Sequence, residues 1–422
     1  MLKKSSLIFP LLALVLSACI PDGIQVPESS LLRYLERKSG LIAFMGADGN
    51  IYTIDQAGNN IHAITDDAIF PGGPEELRYY QFISWSPDSD QLGYVSISTE
   101  GGQNYDVSVI AAEREGEGRS RLYTSSELRP FYLYWSPDGN KISFLSGGGP
   151  QGGLSLHVVP SEGGEARQLD EGSRLYYVWS PLSQELLANV FSEAGSELKF
   201  LQLGRDEPDA SLSLEASPFQ APAWSPDLQK VYLAVTDPDG GSSLVEASQS
   251  GVPIRSLARI VGPIIFSLNS AGDRIAFVTS DTPGINAVVG HLRVIDLDTP
   301  EEILETEEDQ VIAFFWSPDG SKLAYFTPNL IDPGADGVPG GNPVRALDLR
   351  ILDLETEVST FITSFRPTDE FLSILPHFDQ YGRSATIWSP HTRYLVSPAL
   401  VDNDRPVIFV VPAAAARPAR LI

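Results

Sequence analysis

The chain has 422 residues, 42% of them apolar and 9% aromatic, and carries 55 acidic against 29 basic side chains for a formal net charge of −26. Such a surface repels phosphate backbones, which excludes nucleic acid as an expected partner. A single cysteine excludes a disulfide framework within one chain, and 36 glycines with 32 prolines mark a turn-rich chain.

The N-terminus reads as a targeting segment. Lys3 and Lys4 precede an apolar run over residues 7–16, followed by Ser17, Ala18 and Cys19. A basic start, a short apolar stretch and small residues before a cut describe a secretory signal peptide. The run is shorter than the ~20 residues of a membrane span. Leu16-Ser17-Ala18-Cys19 resembles the lipobox of bacterial lipoproteins. The resemblance implies cleavage after Ala18 and acylation of Cys19, the only cysteine. Each buried methylene adds ~0.8 kcal/mol to such an anchor, and more than one chain makes it stable. Ile20 is not the aspartate that resembles an inner-membrane retention signal, so the outer membrane is expected if the host has one. Residues 1–18 are thus read as the lipoprotein signal peptide. Residues 19–38 are read as a tether with Pro21, Gly23, Pro27 and a short helical stretch over 31–38, and residues 39–422 as the folded domain.

That domain opens with three strand-like runs, Leu41–Met45, 50–55 and 61–65. A phrase then recurs: Trp85-Ser86-Pro87, Trp135-Ser136-Pro137, Trp179-Ser180-Pro181, Trp224-Ser225-Pro226, Trp316-Ser317-Pro318 and Trp388-Ser389-Pro390, with a degraded copy at Phe266-Ser267-Leu268. Successive spacings are 50, 44, 45, 42, 50 and 72 residues. A period of about 40–50 residues is that of a four-stranded propeller blade.

One repeat shows the grammar. Residues 131–135 form a first strand, and Ser136-Pro137-Asp138-Gly139 is a turn: proline presets φ at the second position and serine can bond the backbone. Residues 141–145 are the second strand, 154–159 the third and 166–169 the fourth. Second strands are likewise expected at 91–96, 230–235, 274–279 and 322–327, and third strands at 106–111, 291–296 and 346–352. The repeated tryptophan reads as a wedge between neighbouring blades. The expected fold is all-β, a single β-propeller of four-stranded antiparallel blades. Eight blades result if the three N-terminal strands form a blade lacking its Trp strand, seven if they complete the last one.

Trp316-Ser317-Pro318-Asp319-Gly320-Ser321-Lys322-Leu323-Ala324-Tyr325 resembles the repeat of the TolB-type, WD40-like propellers, and the resemblance covers about residues 39–422. It implies the fold and a general interaction role. Neither an α/β domain ahead of the repeats, which TolB itself is expected to have, nor a hydrolase domain after them is expected in this chain.

Catalytic signatures are sparse. No Gly-x-Ser-x-Gly elbow occurs, and His62, His157, His291, His377 and His391 show no zinc-motif spacing. One glycine-rich segment has the oxygen chemistry for Ca²⁺, through Asp332, Asp336 and Asn342. Its spacing fails the EF-hand loop, a plain insertion between strands is the alternative, and no cofactor is expected.

The loops joining strands two to three, and four to the next blade, share one face of a propeller and here hold most of the extra length. Function often sits on such loops. Several approaches to first strands pair arginine with aromatics: Arg78 with Tyr80, Arg129 with Tyr132, Arg174 with Tyr176. Arg and Tyr are enriched in binding hot spots, so a convergence at the channel mouth would hold a carboxylate or a peptide. The other reading packs the tyrosines between blades and gives the arginines to local acids. The aromatic segment 371–381, with Phe378 and Tyr381, is expected to cap the same face. The expected function is a monomeric, lipid-anchored module that binds a protein or peptide at the cell envelope and is not an enzyme. Alternatives are a propeller glycosidase or lyase using channel carboxylates, and a structural envelope component.

Overall fold

The computed structural model describes residues 40–422, apart from 74–75, 102–103, 149–151, 205–209, 213, 218, 281–287, 332–343 and 415–418. Cys19, the tether and the candidate Ca²⁺ ligands Asp332, Asp336 and Asn342 lie outside the described residues.

Antiparallel sheets follow one another along the chain. The first has three strands, Leu41–Met45, Ile51–Asp55 and His62–Ala63. The second has five: Ile69–Gly73, Glu76–Trp85, Gln91–Glu100, Asn104–Glu113 and Ser120–Ser125. Four four-stranded sheets come next, with first strands Arg129–Trp135, Arg174–Trp179, Ala223–Trp224 and Ile264–Leu268. The last sheet has seven strands in chain order, Ala313–Trp316, Lys322–Ile331, Val344–Asp353, Val358–Pro367, Tyr394–Val401, Arg405–Pro412 and Arg420–Leu421. It is two repeats joined where Arg366 and Pro367 pair with Leu400 and Ala399. The strand Ile69–Gly73 was not legible in the sequence, whereas Leu41–Met45 has the expected bounds.

The Ser-Pro-Asp-Gly turns are built by their own side chains. The Ser136 hydroxyl donates to Asp138 at 2.6 Å and accepts from the Lys141 amide at 2.9 Å, while the Asn140 amide donates to Asp138 at 3.1 Å. The same pattern closes the turns at Ser86, Ser225 and Ser317. Burial pushes the Asp138 carboxyl up, but bonds from Ser136 and the Asn140 amide outweigh it and hold the group at about 2.

Four of the six tryptophans also reach back to the preceding repeat, while the buried Trp224 indole N–H finds no such partner among the described residues. Indole N–H groups of Trp135, Trp179, Trp316 and Trp388 donate to the carbonyls of Ser84, Tyr134, Ser267 and Phe315, at 3.2, 3.2, 3.2 and 3.0 Å. The bond satisfies a buried donor in the low-dielectric space between sheets.

This register corrects one reading. Trp85, Trp135, Trp179, Trp224 and Trp316 each pair with the residue seven positions on, and in the degraded copy it is Leu268 that pairs with Ile275. The Asn269 amide donates to the Arg274 carbonyl and the Gly272 amide to the Asn269 carbonyl, as in the serine turns. Leu268 therefore holds the tryptophan position, not Phe266. Phe266 lies two residues earlier on the same strand face, buried and stacked on Phe219 at 5.9 Å.

Candidate functional site

The segment between Val358–Pro367 and Trp388 touches six sheets: at Glu76–Trp85, Arg129–Trp135, Arg174–Trp179, the residues just ahead of Ala223–Trp224, Ile264–Leu268 and Ala313–Trp316. Thr368 caps a helix, Asp369–Ile374, by accepting from the Phe371 amide at 3.2 Å. A 3₁₀ turn, Leu375–His377, leads into a second helix, Phe378–Ser384. Phe371, Leu375 and Phe378, one from each of these three elements, are buried at spacings of four and three and form an apolar stripe joined to one core cluster. The segment was expected to cap the long-loop face. Instead that stripe draws it inside the ring of first strands.

Contacts run round the ring. The Tyr132 hydroxyl donates to the Gln380 carbonyl at 3.1 Å. The Gln380 side chain accepts from the Tyr177 amide at 3.4 Å and donates to the Leu175 carbonyl at 3.3 Å, completing the edge of that strand. The Ala221 amide donates to Asp379 at 3.0 Å, Gln220 donates to the Pro376 carbonyl at 2.9 Å, and Arg383 to the Pro222 carbonyl at 3.3 Å. Phe378 packs on Phe314 and Phe315, with centroids 4.6 and 6.1 Å apart. The Ser84 hydroxyl donates to the Ser384 carbonyl at 2.9 Å, and the helix also approaches Ile264–Leu268. The channel is filled by the chain itself.

Burial sets the electrostatics of this plug. Desolvation raises Asp379 to about 6, against the Ala221 amide and Arg383, which pull it down. Burial pushes the phenols of Tyr132 and Tyr177 well up and His377 down, so all three are neutral donors or packing groups near neutral pH. Tyr132 has φ +50° at a bulge in its strand, where the register shifts. A bulge re-aims a side chain, and here it accompanies the Tyr132–Gln380 bond.

The residues singled out from the sequence divide into two groups. Tyr132, Tyr176, Phe378 and Tyr381 do come together: Tyr381 meets Tyr132 at 5.2 Å, and Tyr176 meets His377 at 6.2 Å. Their apolar surface is given to the insert, and Tyr132 and Phe378 are each 2% exposed. Arg78 and Arg129 pair elsewhere, and Arg174 joins this cluster through Phe191, whose ring meets Tyr176 at 6.0 Å. Arg78 pairs with Asp67 at 3.0 Å, and Tyr80, 3% exposed, donates to the same carboxylate at 2.6 Å. Arg129 lies over Tyr105 at 5.6 Å and Arg174 over Phe191 at 4.4 Å. Among the described residues no group of three or more His, Cys, Asp or Glu is placed to hold a metal.

A second feature lies beside the plug. A cavity of about 460 Å³ opens between the first, second and last sheets. Its floor is Leu41, Ile42 and Ala43, and its walls are Ile83 and Trp85 on one side, Trp388 and Leu395 on the other. Close contact brings these sheets together: a Cβ on Gly40 would meet Pro390 at 3.1 Å, and Gly40 has φ +118°, a conformation suited to glycine. Among the described residues the first sheet shows no strand on the side of Leu41–Met45 away from Ile51–Asp55, and Leu41, Ile42 and Ala43 line the cavity. Arg114 and Arg383 are the charged residues among those that line it. Sequence reasoning saw that no Trp phrase precedes Trp85 but not the cavity beside it.

No protein-family model matches the chain, and no curated protein matches it in sequence. Solved structures do. The C-terminal WD40 domain of Sif2 is 12% identical, with 89% of this chain and 92% of that one covered at a TM-score of 0.50. TolB from Acinetobacter baumannii is 10% identical, with 85% and 84% covered at a TM-score of 0.37. An oligogalacturonate lyase in complex with manganese is 11% identical, with 89% and 86% covered at 0.45. The sheet order and the likeness to the WD40 domain define the class: the chain is a β-propeller.

Proposed function

We propose that this chain is a lipid-anchored, extracytoplasmic propeller of eight blades that binds a protein or peptide at the cell envelope. The anchor rests on the Leu16-Ser17-Ala18-Cys19 pattern. Eight blades follow if the three-stranded first sheet and the last repeat, which opens at the Trp388–Leu395 bridge, each count as one. The observation that carries the binding role is the filled channel. Where a propeller enzyme would gather carboxylates around a substrate, this chain places Phe378, Gln380 and Tyr381, and ties Asp379 to the Ala221 amide. Surface left for recognition is then the rim and the cavity beside Trp85, a recess of apolar floor and few polar groups, as binding sites generally are.

Co-purification tests this reading. The native lipidated chain carrying a C-terminal tag is cross-linked in intact cells and recovered from the envelope fraction. One protein enriched over an unlipidated Cys19→Ser control is the expected result. No enriched protein, together with turnover of an envelope glycan or peptide by the purified chain, would replace the binding role with an enzymatic one.

A further inference from the structure

We propose that the cavity beside Leu41–Met45 receives an extended segment of a partner protein, which adds to the first sheet as its missing inner strand. The proposal deepens the binding role given above and rests on it. Leu41–Met45 pairs with Ile51–Asp55 on one side, and on the other it is an edge among the described residues. An edge strand offers a row of unpaired N–H and C=O groups, the template for strand addition.

The repeats state what fits. In the other repeats a first strand lies at this position, and its carbonyl accepts from the tryptophan of the following repeat in four cases. For Trp85 the preceding sheet is the first one, which shows no such strand among the described residues. Its indole, like that of Trp224, has no such bond among the described residues, but where Trp224 is buried the Trp85 ring is half-buried and lines the cavity. An added strand would present a carbonyl to the Trp85 indole, as Ser84 does to Trp135.

Chemistry narrows the occupant. The floor is apolar and the charged lining residues are both arginines, in a protein of net charge −26. Arg114 is held loosely, 3.4 Å from Glu115 and 3.9 Å from Asp90, and Arg383 has one buried guanidinium nitrogen without a hydrogen-bond partner. The fitting segment is apolar and aromatic, about five residues long to match Leu41–Met45, with an acid at one end. A second copy fits poorly, since its own edge is recessed between the same walls and both copies are acidic.

The test uses the mature full-length chain and a fluorescein-labelled peptide copying residues 309–318. Those residues cross the same position in the last sheet and begin with Asp309. Binding is read by anisotropy, and hydrogen exchange reports on the amides of Leu41–Met45. We expect saturable binding, slowed exchange at the alternate amides that face away from Ile51–Asp55, and more than about tenfold weaker binding of a peptide N-methylated at alternate residues. Arg114→Glu, on an exposed side chain, should weaken binding a few fold, and Trp85→Phe likewise. No binding, or equal binding of the N-methylated peptide, would overturn the proposal. So would exchange already slowed in the free monomer, or slowed only as the free chain dimerises. If cross-linking still enriches a partner while these assays fail, the strand-addition site falls and the binding role stands.

Discussion

The Tyr132 hydroxyl and the Gln380 carbonyl meet at 3.1 Å although 248 residues separate them along the chain. The bond joins a first strand to the helix that fills the channel, so the plug is part of the core rather than a lid. Tyr132→Phe should leave the Gln380 carbonyl unsatisfied in a buried site at a cost of about 1–3 kcal/mol. Urea unfolding should show a lower midpoint at unchanged slope.

Phe378 carries more. It is fully enclosed against Phe314 and Phe315, and Phe378→Ala should cost about 3–5 kcal/mol through lost burial and a residual cavity. A loss below about 1 kcal/mol in the same unfolding measurement would mean that the helix is not packed in the channel.

The buried Asp379 makes stability fall as pH rises. Burial holds its carboxyl at about 6 when folded, above the 3.8 of an ordinary aspartate. The folded chain therefore holds a proton that the unfolded chain has lost, and the advantage, complete below about 4, is gone once pH passes 6. Two pH units correspond to about 3 kcal/mol at most. The stability difference between wild type and Asp379→Asn, measured from pH 4 to 7, should move against wild type across that window and flatten above it.

The serine turns act with the opposite sign. Asp138 and Asp319 are held at about 2, below the usual carboxylate range, so their contribution is present above about pH 4 and fades as pH falls toward 2. Ser136→Ala removes both bonds to Asp138 and the Lys141 amide and should cost about 1 kcal/mol at pH 7, with a smaller cost at pH 2. Thermal unfolding at the two pH values checks it.

Acylation has its own readout. Cells fed a labelled fatty acid should label the wild-type chain and leave Cys19→Ser unlabelled and released from the membrane fraction. Equal labelling of both chains would contradict the lipobox reading.

Much of the fold was legible because the repeat writes it seven times over. Trp-Ser-Pro fixes the end of a strand and the turn after it, and the period fixes the number of strands between. The degraded copy misled by two residues, because Phe266 and Leu268 share a strand face and only pairing with Ile275 shows which takes the tryptophan position. The plug was less legible. Its aromatics were noticed as a cluster, but the Thr368 cap with Phe371, Leu375 and Phe378 at helical spacing was the sharper signal. Which arginines and tyrosines converge depends on pairing across hundreds of residues, and no local pattern carries that. The edge at Leu41–Met45, bare among the described residues, was implicit in the absence of a Trp phrase before residue 85; the cavity beside it is a property of packing alone.

The most direct measurement is site-specific photo-cross-linking in living cells. A photoreactive side chain replaces Met45, exposed at the end of the open edge, or Leu182, exposed on a turn of the fourth sheet. Capture of one envelope protein from position 45 and none from position 182 is the predicted result. Capture from position 182 alone, or from neither position, would contradict a partner seated at the inner edge of the first sheet.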